Sequence, residues 1–153
     1  MSSSALEFSK INLKFSFQAK LYNLEDYFLF HPEEPSESRF YVELPSKYDL
    51  LYESVDLITR DKIHIHSYLL KQRENLFNTA PTLVCFHGNA GNIGQRLIQA
   101  KYFYNYCECN VFLVEYRGFG LSQGTPSENG FYMDAEAALD YIFTRNDIDK
   151  NKM

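Results

Sequence analysis

The chain has 153 residues and a mass of 17.9 kDa, which leaves room for about one domain with a single core. Its hydrophobic content of 45% is that of an ordinary water-soluble globular protein. Fifteen Lys and Arg residues against twenty Asp and Glu residues give a formal charge of −5, which argues against a nucleic-acid partner bound through its phosphates.

The composition also bears on compartment and metal binding. No apolar run approaches the roughly 18 residues of a membrane-spanning helix, and Met1 to Ala5 is too polar to begin a signal peptide. Three cysteines, Cys85, Cys107 and Cys109, are too few for a disulfide scaffold, and no second Cys/His pair completes a zinc site with the last two. We therefore predict a cytoplasmic protein without a metal or a cofactor.

The first part of the chain reads as an extension followed by a loop. From Ile11 to Leu21 apolar residues occupy every odd position, which is strand periodicity, while an amphipathic helix with lysines suited to an anionic membrane surface is the alternative. We assign residues 1–25 to an N-terminal extension and residues 26–153 to the domain. After Phe30, two prolines and three glutamates predict an exposed loop.

A β-hairpin is predicted next. Alternating β-branched residues indicate antiparallel strands from Val55 to Thr59 and from Ile63 to Leu70. His64 and His66 share one face of the second strand and could bind a metal beside a carboxylate. The sequence identifies no third ligand, so an exposed strand face is the simpler interpretation.

The second half has the pattern of a parallel βαβ unit. Two apolar runs, Thr82 to Phe86 and Val111 to Val114, flank a helical stretch from about Ile93 to Tyr106. Uninterrupted apolar strands are typical of parallel sheets, because both of their faces are covered. We therefore predict an α/β fold.

A further helix is predicted after the second of these strands. Thr125 would cap it, Pro126 would take its first position, and Glu128 would return a hydrogen bond to the cap. Its apolar residues recur on one face. They are Phe131, Ala135, Ala138, Leu139 and Ile142.

All seven glycines lie between Gly88 and Gly130, so we expect the chemistry in this half. The turn from His87 to Gly94 joins a parallel strand to its helix, where open α/β sheets bind ligands. In one interpretation it cradles a nucleotide phosphate while Glu115 holds a ribose, but the glycine spacing fits neither dinucleotide-binding nor P-loop motifs.

In the other interpretation this turn forms one side of an oxyanion hole for acyl transfer. The backbone N–H groups of Asn89 and Ala90 would stabilise negative charge on oxygen. His87 and Gly88 would shape the turn, and His87 would not be a catalytic base.

A literal G-x-S-x-G occurs from Gly120 to Gly124, with Ser122 at its centre. A nucleophile elbow needs a strand directly before it and a helix directly after it, and its histidine must follow in the chain. Here the strand ends earlier, and every histidine precedes Ser122. We interpret the match as accidental.

Four segments carry a family resemblance. They read Phe86-His-Gly-Asn-Ala-Gly-Asn-Ile-Gly-Gln-Arg-Leu97, Val114-Glu-Tyr-Arg-Gly-Phe-Gly-Leu-Ser-Gln-Gly124, Asp134-Ala-Glu-Ala-Ala-Leu-Asp-Tyr-Ile142 and Phe30-His-Pro-Glu-Glu-Pro-Ser-Glu-Ser-Arg39. Together they resemble the first half of alpha/beta hydrolase domain-containing protein 13 and its relatives. The resemblance implies an α/β-hydrolase fold and serine-hydrolase action on esters or thioesters, and related members remove palmitoyl groups from proteins. Asn89 matches the family's oxyanion position.

The resemblance also implies what this sequence does not supply. The family's nucleophile, acid and base would follow Met153, so we predict an incomplete serine hydrolase that is inactive by itself. Relatives carry a hydrophobic membrane anchor, which the residues before Asp26 do not contain, although membrane association stays possible. The family's sheet order, 1-2-4-3-5, would leave the strand from Thr82 to Phe86 at an edge.

Two other functions stay open at this point. A non-catalytic interaction module could bind a protein partner at the exposed sheet edge, which carries no lysine, proline or bulge to block pairing. A phosphate-binding α/β domain is the other alternative. Neither requires an acyl substrate.

Overall fold

A four-stranded mixed sheet organises the chain. The computed structural model describes Asp26 and residues 28–153, so the predicted strand from Ile11 to Leu21 and the extension of residues 1–25 lie outside the described residues. The strands are β1 (Tyr52–Ile58), β2 (His64–Leu70), β3 (Thr82–Phe86) and β4 (Asn110–Val114). Their spatial order is β1-β2-β4-β3.

β1 and β2 form the predicted antiparallel hairpin, which begins three residues earlier than expected because Tyr52 pairs with Leu70. Its turn is closed by Thr59, whose backbone N–H donates to the carbonyl of Ile63 and whose hydroxyl accepts from the N–H of Ile63, both at 3.0 Å. β4 runs antiparallel to β2 and parallel to β3. The hairpin therefore leads into a βαβ unit, as predicted.

Helices cover both faces of the sheet. A 3₁₀ turn at Ile93–Arg96 leads into α1 (Leu97–Tyr106), and α2 (Glu128–Thr144) follows β4. α1 packs on one face, where its buried residues join Val111 and Leu113, and α2 packs on the other, with Phe112 and Val114. All five residues of β4 are buried, which is the burial that an apolar run in a parallel sheet predicts.

The N-cap of α2 differs from the prediction. Ser127 caps the helix, since its extended backbone places its hydroxyl to accept the N–H of Gly130 at 3.2 Å. Thr125 is not the cap, because the chain before Ser127 remains a loop. In this loop Pro126 packs so closely against Gly118 that a Cβ on Gly118 would lie 2.3 Å from the Pro126 ring. The capping box predicted with Glu128 is therefore wrong.

The buried face of α2 is also narrower than predicted. Its fully buried positions recur every four residues and include a carboxylate. They are Gly130, Asp134, Ala138 and Ile142. Leu139, which was predicted on the buried face, lies beside it and is 40% exposed. Asp134 is fully buried on that face, although the sequence analysis did not predict it there.

β3 lies at an edge of this sheet, as predicted. On its open side the N–H of Thr82 donates to the carbonyl of Lys152 at 2.8 Å. Leu83 and Phe86 are 37% and 39% exposed. Strands that are apolar and open on one side pair readily with other chains, so we expect this edge to favour self-association.

We expect the purified chain to associate through β3 as its concentration rises. A lysine at an edge strand disfavours pairing, so Leu83→Lys should shift the elution on size-exclusion chromatography toward a monomer. Ile98→Lys, at a 70% exposed position of α1, is the matched control and should leave the elution unchanged. A wild-type chain that elutes as a monomer at all concentrations and melts cooperatively would contradict this prediction.

Candidate functional site: the turn after strand β3

The glycine-rich turn begins where β3 ends. Gly91 adopts φ +78°, and a Cβ there would meet the Gln95 side-chain oxygen at 2.0 Å, so the tight turn depends on glycine. Asn92 then closes the turn, because its side-chain oxygen accepts the N–H of Gly94 at 2.9 Å. Its amide nitrogen donates to the carbonyls of Ser38 and Tyr41, both at 2.9 Å, which ties the turn to the segment before the hairpin.

The outer part of the turn is anchored by its carbonyls. The carbonyl of Asn89 accepts the N–H of His31 at 2.8 Å, and the carbonyl of Ala90 accepts from the Arg96 guanidinium at 2.9 Å. The Asn89 side chain donates to the carbonyl of Leu29 at 2.8 Å. His31 and Ala90 form an isolated parallel β-bridge. The turn is thus held from both sides by groups outside it.

The backbone N–H groups of Asn89 and Ala90 are different, because neither donates a hydrogen bond within the part of the chain that the structure describes. Asn89 is exposed. A turn with fixed carbonyls and unused N–H donors, placed at the carboxyl end of a strand, is suited to bind negative charge on an oxygen atom. The structure therefore keeps the N–H groups of the predicted oxyanion donors available.

His87 lies under the turn, buried with Glu115. The His87 Nε2 and Glu115 Oε1 atoms are 2.5 Å apart, and the two side chains are 2% and 0% exposed. The rings of Tyr116 and Phe119 flank the imidazole, with centroids 4.9 and 5.1 Å from its own. A side chain enclosed in this way does not reach a substrate.

The nucleotide interpretation assigned Glu115 to a ribose hydroxyl, and this is wrong. Glu115 is fully buried, and its other oxygen accepts the backbone N–H of Ile93 at 3.0 Å. Both of its oxygens contact protein atoms beneath the turn. No exposed carboxylate is therefore left at this position to hold a sugar.

A buried ionic network lies beside the turn and joins three elements. The carboxylate of Asp134 accepts from the backbone N–H and Nε of Arg117, both at 2.9 Å, and Asp61 accepts from the two terminal nitrogens of Arg117 at 2.8 and 3.1 Å. The hydrogen bonds from Arg117 and Thr59 hold the pKa of Asp61 well below its usual range. Burial raises the pKa of Asp134, against the effect of Arg117. The network is structural, since it fixes the loop after β4.

Ser122 lies in that loop and is 3% exposed. Its hydroxyl accepts the backbone N–H of His66 at 3.0 Å, and the Arg39 guanidinium donates to its carbonyl at 3.4 Å. β4 ends at Val114 and α2 begins at Glu128, so no strand enters the serine turn and no helix leaves it. The strand–turn–helix context of a nucleophile elbow is absent from this described segment.

The two hairpin histidines have separate partners. His64 Nδ1 lies 2.7 Å from Asp56, and His66 Nε2 lies 3.3 Å from the Ser54 hydroxyl. Burial lowers the pKa of His66. Across Asp26 and residues 28–153, no group of three or more His, Cys, Asp or Glu side chains is placed to hold a metal ion.

The three cysteines lie in different surroundings. Burial raises the pKa of Cys85 to about 11, so this thiol beside the turn is protonated at neutral pH. Cys109 is buried and its Sγ contacts the carbonyl of Phe103 at 3.4 Å, while Cys107 is the exposed C-cap residue of α1. Both therefore lie near the end of α1.

Two cavities lie close to the turn. One, of about 720 Å³, lies between the segment from Asp26 to Glu34 and Pro126, and it includes His31, the β-bridge partner of Ala90. The other, of about 410 Å³, lies between β3 and α1 and includes His87 and Gly88. Each is of a size that can hold part of a small-molecule ligand.

Comparison with known proteins relates this geometry to a family. Protein bem46 of Schizosaccharomyces pombe is 40% identical over 133 residues, which are 87% of this chain and 44% of that protein. The alpha/beta hydrolase domain-containing protein WAV2 of Arabidopsis thaliana is 35% identical over 143 residues, which are 94% of this chain and 44% of that protein. This chain belongs to the α/β-hydrolase superfamily. The resemblance to alpha/beta hydrolase domain-containing protein 13 and its relatives is thereby confirmed.

The fold of this chain is found again in a solved structure. An esterase from Pyrococcus furiosus superposes with a TM-score of 0.55 at 17% sequence identity, covering 78% of this chain and 42% of that one. The predicted α/β-hydrolase fold class is therefore confirmed. No protein-family model matches the chain.

The α/β-hydrolase chain spans 44% of the length of each of the two curated relatives. A Saccharomyces cerevisiae relative, 32% identical over 135 residues, which are 88% of this chain and 46% of that protein, is described as a membrane protein. Among the described residues, no helix combines the length and the apolar character needed to cross a bilayer. Cytoplasmic location and membrane association both stay predictions.

Sequence reasoning missed two parts of the site. One is the pairing of Leu29 and His31 with the turn, where the sequence predicted only an exposed loop after Phe30. The other is the contact of Glu115 with His87 and Ile93. The only available signal was the recurrence of both segments in the family resemblance, since neither contact is local in sequence.

Proposed function

We propose that this chain supplies the oxyanion side of an active site that hydrolyses acyl esters or thioesters. Asn89 and Ala90 provide backbone N–H donors, and His87 and Gly88 shape the turn that presents them. The observation that carries the proposal is that both N–H groups are unused while the neighbouring carbonyls are anchored. Residues 26–153 then act as one part of an α/β-hydrolase domain.

The chemical contribution of such a turn is electrostatic. Attack on an ester carbonyl moves negative charge onto its oxygen, and fixed N–H donors stabilise that charge without having to reorganise. Removal of one such donor typically slows an enzyme by about 10²–10³-fold. The cavity of about 720 Å³ beside His31 is the place we assign to the acyl or alcohol part of the substrate. Palmitoyl thioesters on proteins are one substrate of this class.

We infer that the described residues do not supply the remaining catalytic groups. Ser122 is engaged by the hairpin, and His87 is enclosed with Glu115. Without a nucleophile and its base, a turn that only donates hydrogen bonds gives a small fraction of the enzyme's rate acceleration. We therefore propose that this polypeptide is inactive until the groups that attack the carbonyl are brought to the turn by additional sequence.

The proposal predicts that the purified chain reacts neither with a fluorophosphonate serine probe nor, over many cycles, with p-nitrophenyl esters. In-gel fluorescence and absorbance at the product wavelength measure the two reactions. Ser122→Ala is the matched variant and should leave both signals at background. Strong probe labelling of the wild type that Ser122→Ala abolishes would overturn the assignment of Ser122 to structure.

A non-catalytic role at the edge of β3 is the second candidate. The exposed Leu83 and Phe86 give that edge apolar contact area, and its open backbone groups suit strand addition. One stoichiometric protein partner that co-purifies with the wild type and is lost with Leu83→Lys would favour this function. Hydrolytic activity of a polypeptide extended beyond Met153 would favour the first.

A further inference from the structure

We propose that Glu115 is a positioning residue that holds both ends of the oxyanion turn with one carboxylate. Its catalytic consequence rests on the proposed function, but its structural effect on the turn does not. His87 stands at the start of the turn and Ile93 near its end. Glu115, at the end of β4, contacts both.

The two contacts use different oxygens. Oε2 of Glu115 accepts the backbone N–H of Ile93 at 3.0 Å, and Oε1 lies 2.5 Å from Nε2 of His87. Oε1 of Glu115 and Nε2 of His87 are not aligned as in a linear hydrogen bond. Neither of these two atoms has any other hydrogen-bond partner among the described residues. The carboxylate is 0% exposed, so water does not replace either contact. The ends of the turn are therefore fixed relative to β4.

The imidazole of His87 has a contact at each of its two ring nitrogens. Nδ1 of His87 lies 2.7 Å from the carbonyl of Gly88, which can only accept, so Nδ1 carries a hydrogen. Nε2 of the same ring faces the Glu115 carboxylate at 2.5 Å. Contacts at both ring nitrogens therefore hold the imidazole in one orientation beneath Gly88.

The surrounding sequence makes room for this carboxylate. A Cβ on Gly120 would lie 2.3 Å from Oε2 of Glu115, so the carboxylate occupies space that only a glycine leaves free. Phe119 is fully buried against the His87 ring. The loop after β4 thus encloses the carboxylate whose contacts determine the shape of the turn after β3.

Amide hydrogen exchange in the full 153-residue chain tests the proposal without any substrate. Glu115→Leu fills the same space but makes neither contact, so we expect the amides of His31 and Gly94, which donate to groups of the turn, to exchange at least about tenfold faster. Glu115→Gln can accept from Ile93 and donate to Nε2 of His87, and should therefore exchange as the wild type does. Amides in the middle of the hairpin, such as Ile65, should not change in either variant.

A role in packing alone predicts a different result, namely that Glu115→Leu leaves the turn unaffected. That outcome, or equal acceleration by Glu115→Gln and Glu115→Leu, would overturn the proposal. If Glu115→Leu does not fold, His87→Leu tests the same contact, because it should accelerate exchange of the His31 amide, which donates to the Asn89 carbonyl, while the Ile93 amide stays protected by Glu115. Equal loss of protection at Ile93 and His31 in that variant would also contradict the proposal. Lack of hydrolase activity in a longer polypeptide affects only the proposed function.

Discussion

Replacing Asp134 by alanine is expected to lower the free energy of unfolding by about 3–5 kcal/mol, the usual effect of breaking a buried ion pair. Asp134 is fully buried on α2 and accepts from the backbone N–H and the side chain of Arg117. Without it, a guanidinium that is only 7% exposed keeps Asp61 but loses its inner partner. An unpaired donor in that position costs more than the lost contact itself contributes.

The same helix offers a control for Asp134→Ala. Asp140 is exposed, so Asp140→Ala removes one negative charge from α2 and should change the unfolding free energy by less than about 0.5 kcal/mol. Urea unfolding followed by circular dichroism measures both variants. Equal stability of the two would show that the Arg117 network does not hold the loop after β4.

Replacing Gly120 by alanine is expected to cost about 2–5 kcal/mol of unfolding free energy. Part of this, about 1–2 kcal/mol, is the cost of a Cβ at a left-handed backbone position, here φ +48°. Overpacking adds about 1–3 kcal/mol, because the new methyl group would lie 2.3 Å from the Glu115 carboxylate and 3.2 Å from Val42. Neither neighbour can withdraw without breaking a buried contact.

Gly88→Ala is the matched control for Gly120→Ala. A Cβ on Gly88 would meet no heavy atom within 4 Å, and its backbone is not left-handed. We expect its unfolding midpoint in urea to remain within experimental error of the wild type. A Gly88→Ala chain as unstable as Gly120→Ala would mean that loss of glycine flexibility, and not the space around Glu115, sets the cost.

Much of the fold could be predicted because its signals are local. The alternating residues of the hairpin and the uninterrupted apolar runs of β3 and β4 state which faces are buried, and burial is what forms a strand. The predictions failed where a choice depended on a neighbouring loop. Thr125 and Ser127 are both suitable caps by residue type, and the packing of Pro126 on Gly118 decides between them.

The candidate site shows the same division. The glycines and the position of the turn after an apolar strand identified His87 to Ala90 as the place for chemistry. The sequence could not show that Glu115 is enclosed, since a glutamate after a strand reads equally well as an exposed ligand. Only its contacts with His87 and Ile93, residues of another loop, exclude the ribose role.

By itself, the sequence determined the order of strands and helices, the position of the glycine-rich turn and the family, because apolar periodicity and short motifs are written in consecutive residues. Tertiary structure alone decided which polar groups of the turn are occupied and which are unused. Asn89 and Leu29, or Arg117 and Asp61, meet only after the sheet has formed. Whether a backbone N–H is free to donate depends on which groups folding places beside it, and the residue type does not determine those neighbours.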